Sequence, residues 1–269
     1  MVHNLGSGSS GNALLICAGD ATLLIDCGIP RTRLKRVMAD ASFGFDRLAA
    51  VAISHEHGDH VSALDMLPLA GSALVGTPGT LAALGHLGRA GEAINPGAET
   101  RIGPFLLRPL AVSHDASEPC GYSIGVHGRR ITVMTDLGRP PEDVAEVLAN
   151  SHLIVLEANY DQHMLAAGPY PHHLKQRIVS GNGHLSNVQC GDLLAAALAG
   201  TAIRPVIWLA HLSKTNNRPD VAERVVEQRL ARAGIDLAAA AMMRTGGNVW
   251  RGEPGSARHV RPVQLSLGF

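Results

Sequence analysis

His55-Glu56-His57-Gly58-Asp59-His60 follows directly on the apolar run Leu48 to Ile53. Four side chains that can bind a metal fall within six residues. With 14 histidines and 13 aspartates in 269 residues, the pattern H-x-H-x-D-H arises by chance in about two of a thousand sequences. In an extended chain, residues two apart face the same way, so His55 and His57 can address one ion. Gly58 permits a sharp turn. Asp59 and His60 then enter a helix start and can address a second ion beside the first. Four ligands do not close two coordination shells, so other segments must complete them.

Those segments share one position. His114 ends the apolar run Phe105 to Ser113, Asp136 follows Arg130 to Thr135, and His211 follows Ile203 to Ala210. Each sits just past a predicted strand, where open sheets gather their ligands. Further strands are predicted over Ala13 to Cys17, Thr22 to Asp26, Gly121 to Val126 and His152 to Glu157. Helices are predicted after Pro30, His60, Pro78, Pro140, Tyr170, Ser186 and Asn217. Ser186-Asn187-Val188-Gln189 is a capping box. Asn217 is the expected cap of a helix that Gly234 ends. Strand-rich hairpins followed by alternating strand and helix predict an α/β fold of mixed sheets with helices outside. The chain reads as one domain over 1–269, with the Gly-, Arg- and Pro-containing tail 246–269 unplaced.

Composition narrows the function. The chain is 46% hydrophobic and 17% charged, with 23 basic and 23 acidic residues. That excludes an extended disordered chain and a polycation, so a nucleic-acid site must be a local patch. No apolar run reaches the length of a membrane span, and Met1-Val2-His3-Asn4 opens no signal peptide. Cys17, Cys27, Cys120 and Cys190 form no C-x-x-C, so the expectation is a cytoplasmic protein with reduced thiols. The 14 histidines outnumber nine aromatic Phe, Trp and Tyr, which directs attention to metal and proton chemistry. Gly6-Ser7-Gly8-Ser9-Ser10-Gly11 fits G-x-G-x-x-G, but a strand follows it where a dinucleotide site needs a helix. It reads as a flexible hairpin loop, or as a turn whose amides and hydroxyls touch an anion.

H-x-H-x-D-H, a lone His, a Thr-Asp and a late His, in that order, resemble the metallo-β-lactamase superfamily. The resemblance implies an αββα sandwich of two sheets with a dinuclear centre at one edge. By it, His55, His57 and His114 are ligands of the first metal. Asp59, His60 and His211 are ligands of the second, and Asp136 is the bridge. Asp26 matches the aspartate that orients a metal-binding histidine. Glu157 ends a strand, His184 opens Gly183-His184-Leu185-Ser186-Asn187, and His211 opens another His-x-Ser. These resemble the phosphodiesterase branch, where the Glu–His pair passes a proton to the leaving group. The set of Gly6 to Asn12, Ser54 to His60, His114-Asp115-Ala116 with Glu118-Pro119, Leu156 to Asp161, Tyr170-Pro171 with Lys175 and Arg177, Gly183 to Asn187, and His211-Leu212-Ser213 with Asn216-Asn217 resembles the YycJ/WalJ-type nucleases, DNA exonucleases. It departs from tRNA-processing members in lacking a long, basic, protruding insert.

The chemistry agrees. Two cations about 3.5–4 Å apart can make a bridging hydroxide and clamp a scissile phosphate, with Asp59 taking part. The leaving alkoxide needs a proton, which a histidine held by a carboxylate can give, here His184 with Glu157. An all-His/Asp set without thiolate suits two Mn²⁺ or Zn²⁺ ions, and the resemblance leans to Mn²⁺. Ser7, Ser9, Asn12, Lys175, Arg177, Ser186 and Asn216 are candidate substrate contacts, on a nucleic-acid substrate with DNA preferred and no membrane partner. His172 and His173 read as surface residues. A thioester or lactone hydrolase is the alternative, using the same metals without the Glu–His donor. An RNA-processing nuclease of the same fold is another.

Overall fold

The structure is a computed structural model that describes residues 1–39, 43–67 and 74–252. Two seven-stranded sheets stack face to face. In the first, β1 (Val2–Gly6), β2 (Ala13–Ala18) and β3 (Ala21–Ile25) pair antiparallel. Then β4 (Leu48–Ala52), β5 (Leu74–Gly76) and β6 (Glu92–Ala93) continue parallel. The second repeats the plan. Antiparallel β7 (Thr100–Ile102), β8 (Phe105–Ala111), β9 (Cys120–Val126) and β10 (Arg129–Met134) lead into parallel β11 (Leu153–Glu157), β12 (Val206–Ala210) and β13 (Ala239–Ala241). β14 (Val249–Trp250) closes the first sheet against β1 and so places part of the tail. Tail residues 253–269 lie outside the described residues.

Period-2 alternation explains the layers. Leu14, Ile16, Leu23 and Ile25 of the first sheet face Leu107, Tyr122, Ile131, Val133, Leu153 and Val155 of the second in one buried core. The intervening Leu15, Leu24 and Val51 pack outward under α1 (Arg31–Met38) through Leu34 and Met38. Ile154, Leu156 and Leu209 pack outward under α4 (Val144–Ala149), α7 (Asn187–Leu198) and α8 (Pro219–Arg232). Both sheets are covered on both faces, which is why their strands read as continuous apolar runs. This is the expected αββα sandwich.

Local details depart from expectation for physical reasons. β12 starts at Val206 rather than Ile203, because Pro205 lacks the N–H that a ladder needs. Ser186 and Gln189 do form the capping box of α7. Asn217 is not the cap of α8; Arg218 takes that place ahead of Pro219 at the first turn. Asn217 instead donates to Ala158 O at 2.8 Å and exchanges amide bonds with Asn187. It thereby ties the starts of α7 and α8 to the end of β11. Three further helices are short: α2 (Gly58–Val61), α3 (Pro78–Ala83) and α5 (Gln162–Ala167), the last capped by Asp161. α6 (His172–Val179) follows Pro171 and carries His172 and His173 exposed.

Candidate metal centre

The ends of β3, β4, β8, β10, β11 and β12 converge on one edge of the sandwich. Asp26, Asp136 and His211 each follow a strand in the left-handed backbone region, at φ 56°, 53° and 54°. Non-glycine residues rarely adopt this conformation, and strain of this kind collects at functional sites. The turn sends each side chain sideways into the edge rather than onward along the strand. Gly28 sits under the motif loop so closely that a Cβ there would meet Asp59 O at 1.7 Å.

Ligand atoms of His55, His57 and His114 lie within 4.8 Å of one another, as do those of Asp59, His60 and His211. Asp136 lies between the two groups. Its Oδ2 is 3.0 Å from His60 Nε2 and its Oδ1 is 3.8 Å from His114 Nε2. Asp26 holds His60 from behind. Its Oδ2 accepts from His60 Nδ1 at 2.7 Å and from Ser54 Oγ at 2.9 Å, and its Oδ1 accepts from Ser54 N at 2.8 Å. With the ring proton on Nδ1, His60 Nε2 presents a lone pair to Asp136 Oδ2, a buried oxygen that accepts no hydrogen bond. Two lone pairs 3.0 Å apart require a cation or a proton between them. The residues therefore fit a divalent ion at this point, and the all-nitrogen and oxygen donor set fits as well.

Charge states follow from the packing. Burial disfavours a charged His60, but the Asp26 and Asp136 carboxylates outweigh it and raise the ring to about 10. Burial, with the charge of His60 added, pushes His55 down to about 2, which leaves a neutral ring. Burial works against ionised Asp59, yet the hydrogen bond from His211 and the charge of His60 hold it at about 2. His114 Nδ1 lies 3.3 Å from Gly183 O, which turns its Nε2 toward the centre.

Glu157 is wholly buried. Its Oε1 accepts from His184 Nδ1 at 2.8 Å and from His211 Nδ1 at 3.0 Å. Its Oε2 accepts the backbone N–H of Leu137 at 2.9 Å and of Leu185 at 3.1 Å. Burial opposes a charged His184, and the Glu157 charge and hydrogen bond reverse this and raise its pKa. Asp136, Glu157, His184 and His211 also come close enough to form a ligand group of their own.

The expected substrate contacts divide. Ser7 is buried, and its hydroxyl accepts the His211 N–H at 2.9 Å. The Gly-rich loop is therefore a packed support rather than a flexible turn at that residue. Asn12 accepts Gly8 N–H at 2.8 Å and places its Nδ2 3.1 Å from His60 Nε2. Ser186 is wholly buried and its hydroxyl serves the α7 cap. Lys175 Nζ donates to Ala166 O at 2.6 Å, joining α6 to α5. Asn216 is wholly buried beside Gly168, away from solvent. Arg177 pairs with Asp115, whose other oxygen is 3.3 Å from His114 Nε2. Ser9 is exposed at the loop tip. Sequence reasoning placed Ser54 and Asn159 within motif segments but gave neither a role. The Asn159 amide donates to His211 O at 2.8 Å and lies 3.3 Å from its Nδ1.

Comparison with known proteins bears on this geometry. Residues 21–205 match the family described as the β-lactamase superfamily domain. Exodeoxyribonuclease YycJ of Bacillus anthracis is 31% identical over 241 residues, spanning 87% of this chain and 90% of its own. Exodeoxyribonuclease WalJ of Streptococcus pneumoniae is 30% identical over 241 residues, spanning 87% and 89%. The metallo-β-lactamase fold protein YhfI from Bacillus subtilis superposes with a TM-score of 0.67 at 20% identity, over 93% of this chain and 98% of its own.

Proposed function

The chain belongs to the β-lactamase superfamily, and on that premise we propose that it is a metal-dependent exonuclease that degrades DNA. The Glu157–His184 pair beside two ligand groups carries this reading. A phosphodiester leaves as a poor alkoxide and needs a proton, whereas a thioester does not. The relatives named exodeoxyribonucleases, alike over nearly their whole length, support the substrate class.

His55, His57 and His114 would hold one ion, and Asp59, His60 and His211 would hold the second. Asp136, with one oxygen toward each group, lies between them. This donor set would suit Mn²⁺ or Zn²⁺. Bound there, they supply Lewis-acid polarisation of the scissile phosphate and a more acidic water. The protein's own groups do the rest. Asp26 fixes His60 and Ser7 fixes the His211 backbone. Asp59, its side chain 25% exposed and ionised, faces the open side and orients the attacking water. His184 keeps its Nδ1 proton on Glu157, so its outer ring nitrogen gives the proton to the leaving oxygen. At 21% exposure, His184 is the member of the pair that substrate can reach.

Among the described residues no helix is long and apolar enough to cross a membrane. The four cysteines are free thiols, which supports a reducing, cytoplasmic setting.

The test is hydrolysis by metal-loaded protein of linear single-stranded DNA, linear double-stranded DNA, RNA and a thioester. Nucleotide release from DNA is expected. Thioester turnover with DNA left intact overturns the reading.

A further inference from the structure

At the end of β10 away from the metal centre, the outer face of the second sheet opens into a cavity of about 450 Å³. It is built on one cross-strand row. Arg101 of β7 pairs with Leu106 of β8, Leu106 with Gly125 of β9, and Gly125 with Arg130 of β10. Directly paired residues put their side chains on one face. The adjacent Phe105, Leu107, Ile124 and Ile131 point into the core, so this row points outward. Gly125 adds no side chain and notches the row; a Cβ there would meet only Leu106, at 3.5 Å. The two-residue turn His127-Gly128, at φ 47° and 71°, then brings Arg129 to the rim.

Arg101, Arg129 and Arg130 line the cavity and no carboxylate does. Among the described residues, none of the three forms an ion pair. Arg130 is held in place, because its Nη1 donates to Ser123 Oγ at 3.3 Å. Its backbone N–H donates to His152 Nδ1 at 3.1 Å, which leaves the ring proton of His152 on Nε2 as a further donor. Burial lowers the His152 pKa, and the charges of Arg129 and Arg130 add to this, so the ring is neutral. Three like charges in a concavity focus a positive potential on it. Pro104 and Leu106 supply apolar surface beside them.

A cavity within about 300–1,000 Å³ suits a small organic ligand rather than a bare ion. Guanidinium groups pair with phosphate oxygens and stack on flat rings. A phosphomonoester brings about −1.5 to −2 charges near neutral pH, and a nucleobase brings a flat ring for the apolar side. Arg130 lies six residues before Asp136, about 20 Å of extended strand, so a ligand here does not reach the ions. We propose that this cavity is a second binding site, for a free nucleoside monophosphate, whose phosphate pairs with Arg101, Arg129 and Arg130 and whose base lies against Pro104 and Leu106. The site is separate from the metal centre and holds whether or not DNA is the substrate.

Titration calorimetry on the full-length, metal-loaded protein tests this with four probes: deoxyadenosine 5′-monophosphate, deoxyadenosine, inorganic phosphate and a cleavage-resistant oligonucleotide with hydroxyl ends. The monophosphate should bind roughly tenfold or more tighter than deoxyadenosine or inorganic phosphate, as charge-assisted bonds usually give. Arg101→Gln should weaken it roughly tenfold. The Arg101 side chain is exposed and has no partner among the described residues, so the fold is not at risk. Gly125→Val, which fills the notch with a residue suited to a strand, should abolish binding without removing a charge. Both variants should keep the metal content and melting temperature of the unaltered protein. A monophosphate affinity that survives both substitutions places the binding at the ions and overturns the proposal. Equal affinity for inorganic phosphate overturns it as a bare anion site, equal affinity for deoxyadenosine shows that the arginines take no part, and binding of the oligonucleotide alone makes the cavity a strand contact instead.

Discussion

Glu157 Oε1 accepts His184 Nδ1–H at 2.8 Å, and the same oxygen lies 3.0 Å from His211 Nδ1. One buried carboxylate thus fixes both the ring that can donate a proton and a ring that can bind an ion. Two backbone N–H groups on its other oxygen hold it in place. This arrangement separates the expected effects of altering each partner.

His184→Ala should retain metal and substrate binding while kcat falls by roughly 10²–10⁴-fold, the usual consequence of losing a general acid. A nitrophenyl phosphodiester, whose leaving group needs no proton, should still be cleaved. Parallel kinetics on DNA and on the activated ester check this. Equal slowing of both would mean that His184 positions the phosphate, and loss of metal would make it a ligand.

Glu157→Gln should do more than weaken the proton donor. Because the carboxylate also turns His211, metal affinity should fall by roughly 10–100-fold, as loss of a partner behind a ligand typically gives. Calorimetric metal titration of the variant checks this. Unchanged metal affinity with reduced kcat would show that the His211 contact is incidental.

Gly28→Ala should abolish metal binding or prevent folding, since the added methyl would lie 1.7 Å from Asp59 O. Circular dichroism and metal analysis of the purified variant check this. A folded variant with full metal content would contradict the close approach.

The pH response of the metal-free protein follows from His60 and the carboxylates. His60 is raised from 6.5 to about 10, so its stabilisation is complete below about 6.5 and fades as pH rises through 10. Asp59 and Glu157 are both depressed to about 2. Their stabilisation is present above their ordinary values and fades as pH falls toward 2. The melting temperature of metal-free protein should therefore drop between pH 6.5 and 10. The metal-loaded protein, whose ligand rings are already neutral, should not show the same loss. Identical profiles with and without metal would contradict this account.

The site was legible where its chemistry is local. His55, His57, Asp59 and His60 lie within six consecutive residues, so spacing alone exposes them. His114, Asp136 and His211 were legible through their places after apolar strands, and Glu157 and His184 only through resemblance. The roles of Ser54 and Asn159 were not legible, because a serine beside a histidine and an asparagine in a loop look like any others. Their roles depend on contacts 28 and 52 residues away. Ser186 and Lys175 misled for the opposite reason. Each lies near the site in sequence, yet its polar atom is used by a helix cap or a neighbouring carbonyl. The sandwich itself was legible in its long strands. β5, β6, β7, β13 and β14, each of two or three residues, are too short to show a period.

The most direct test of a dinuclear nuclease is the rate of hydrolysis of linear DNA against the number of ions bound per chain, measured on the same samples during reconstitution. The rate should rise to a plateau at about two ions, because the two ligand groups and the intervening Asp136 act as one site. A plateau at one ion, or no hydrolysis with two ions bound, would contradict it.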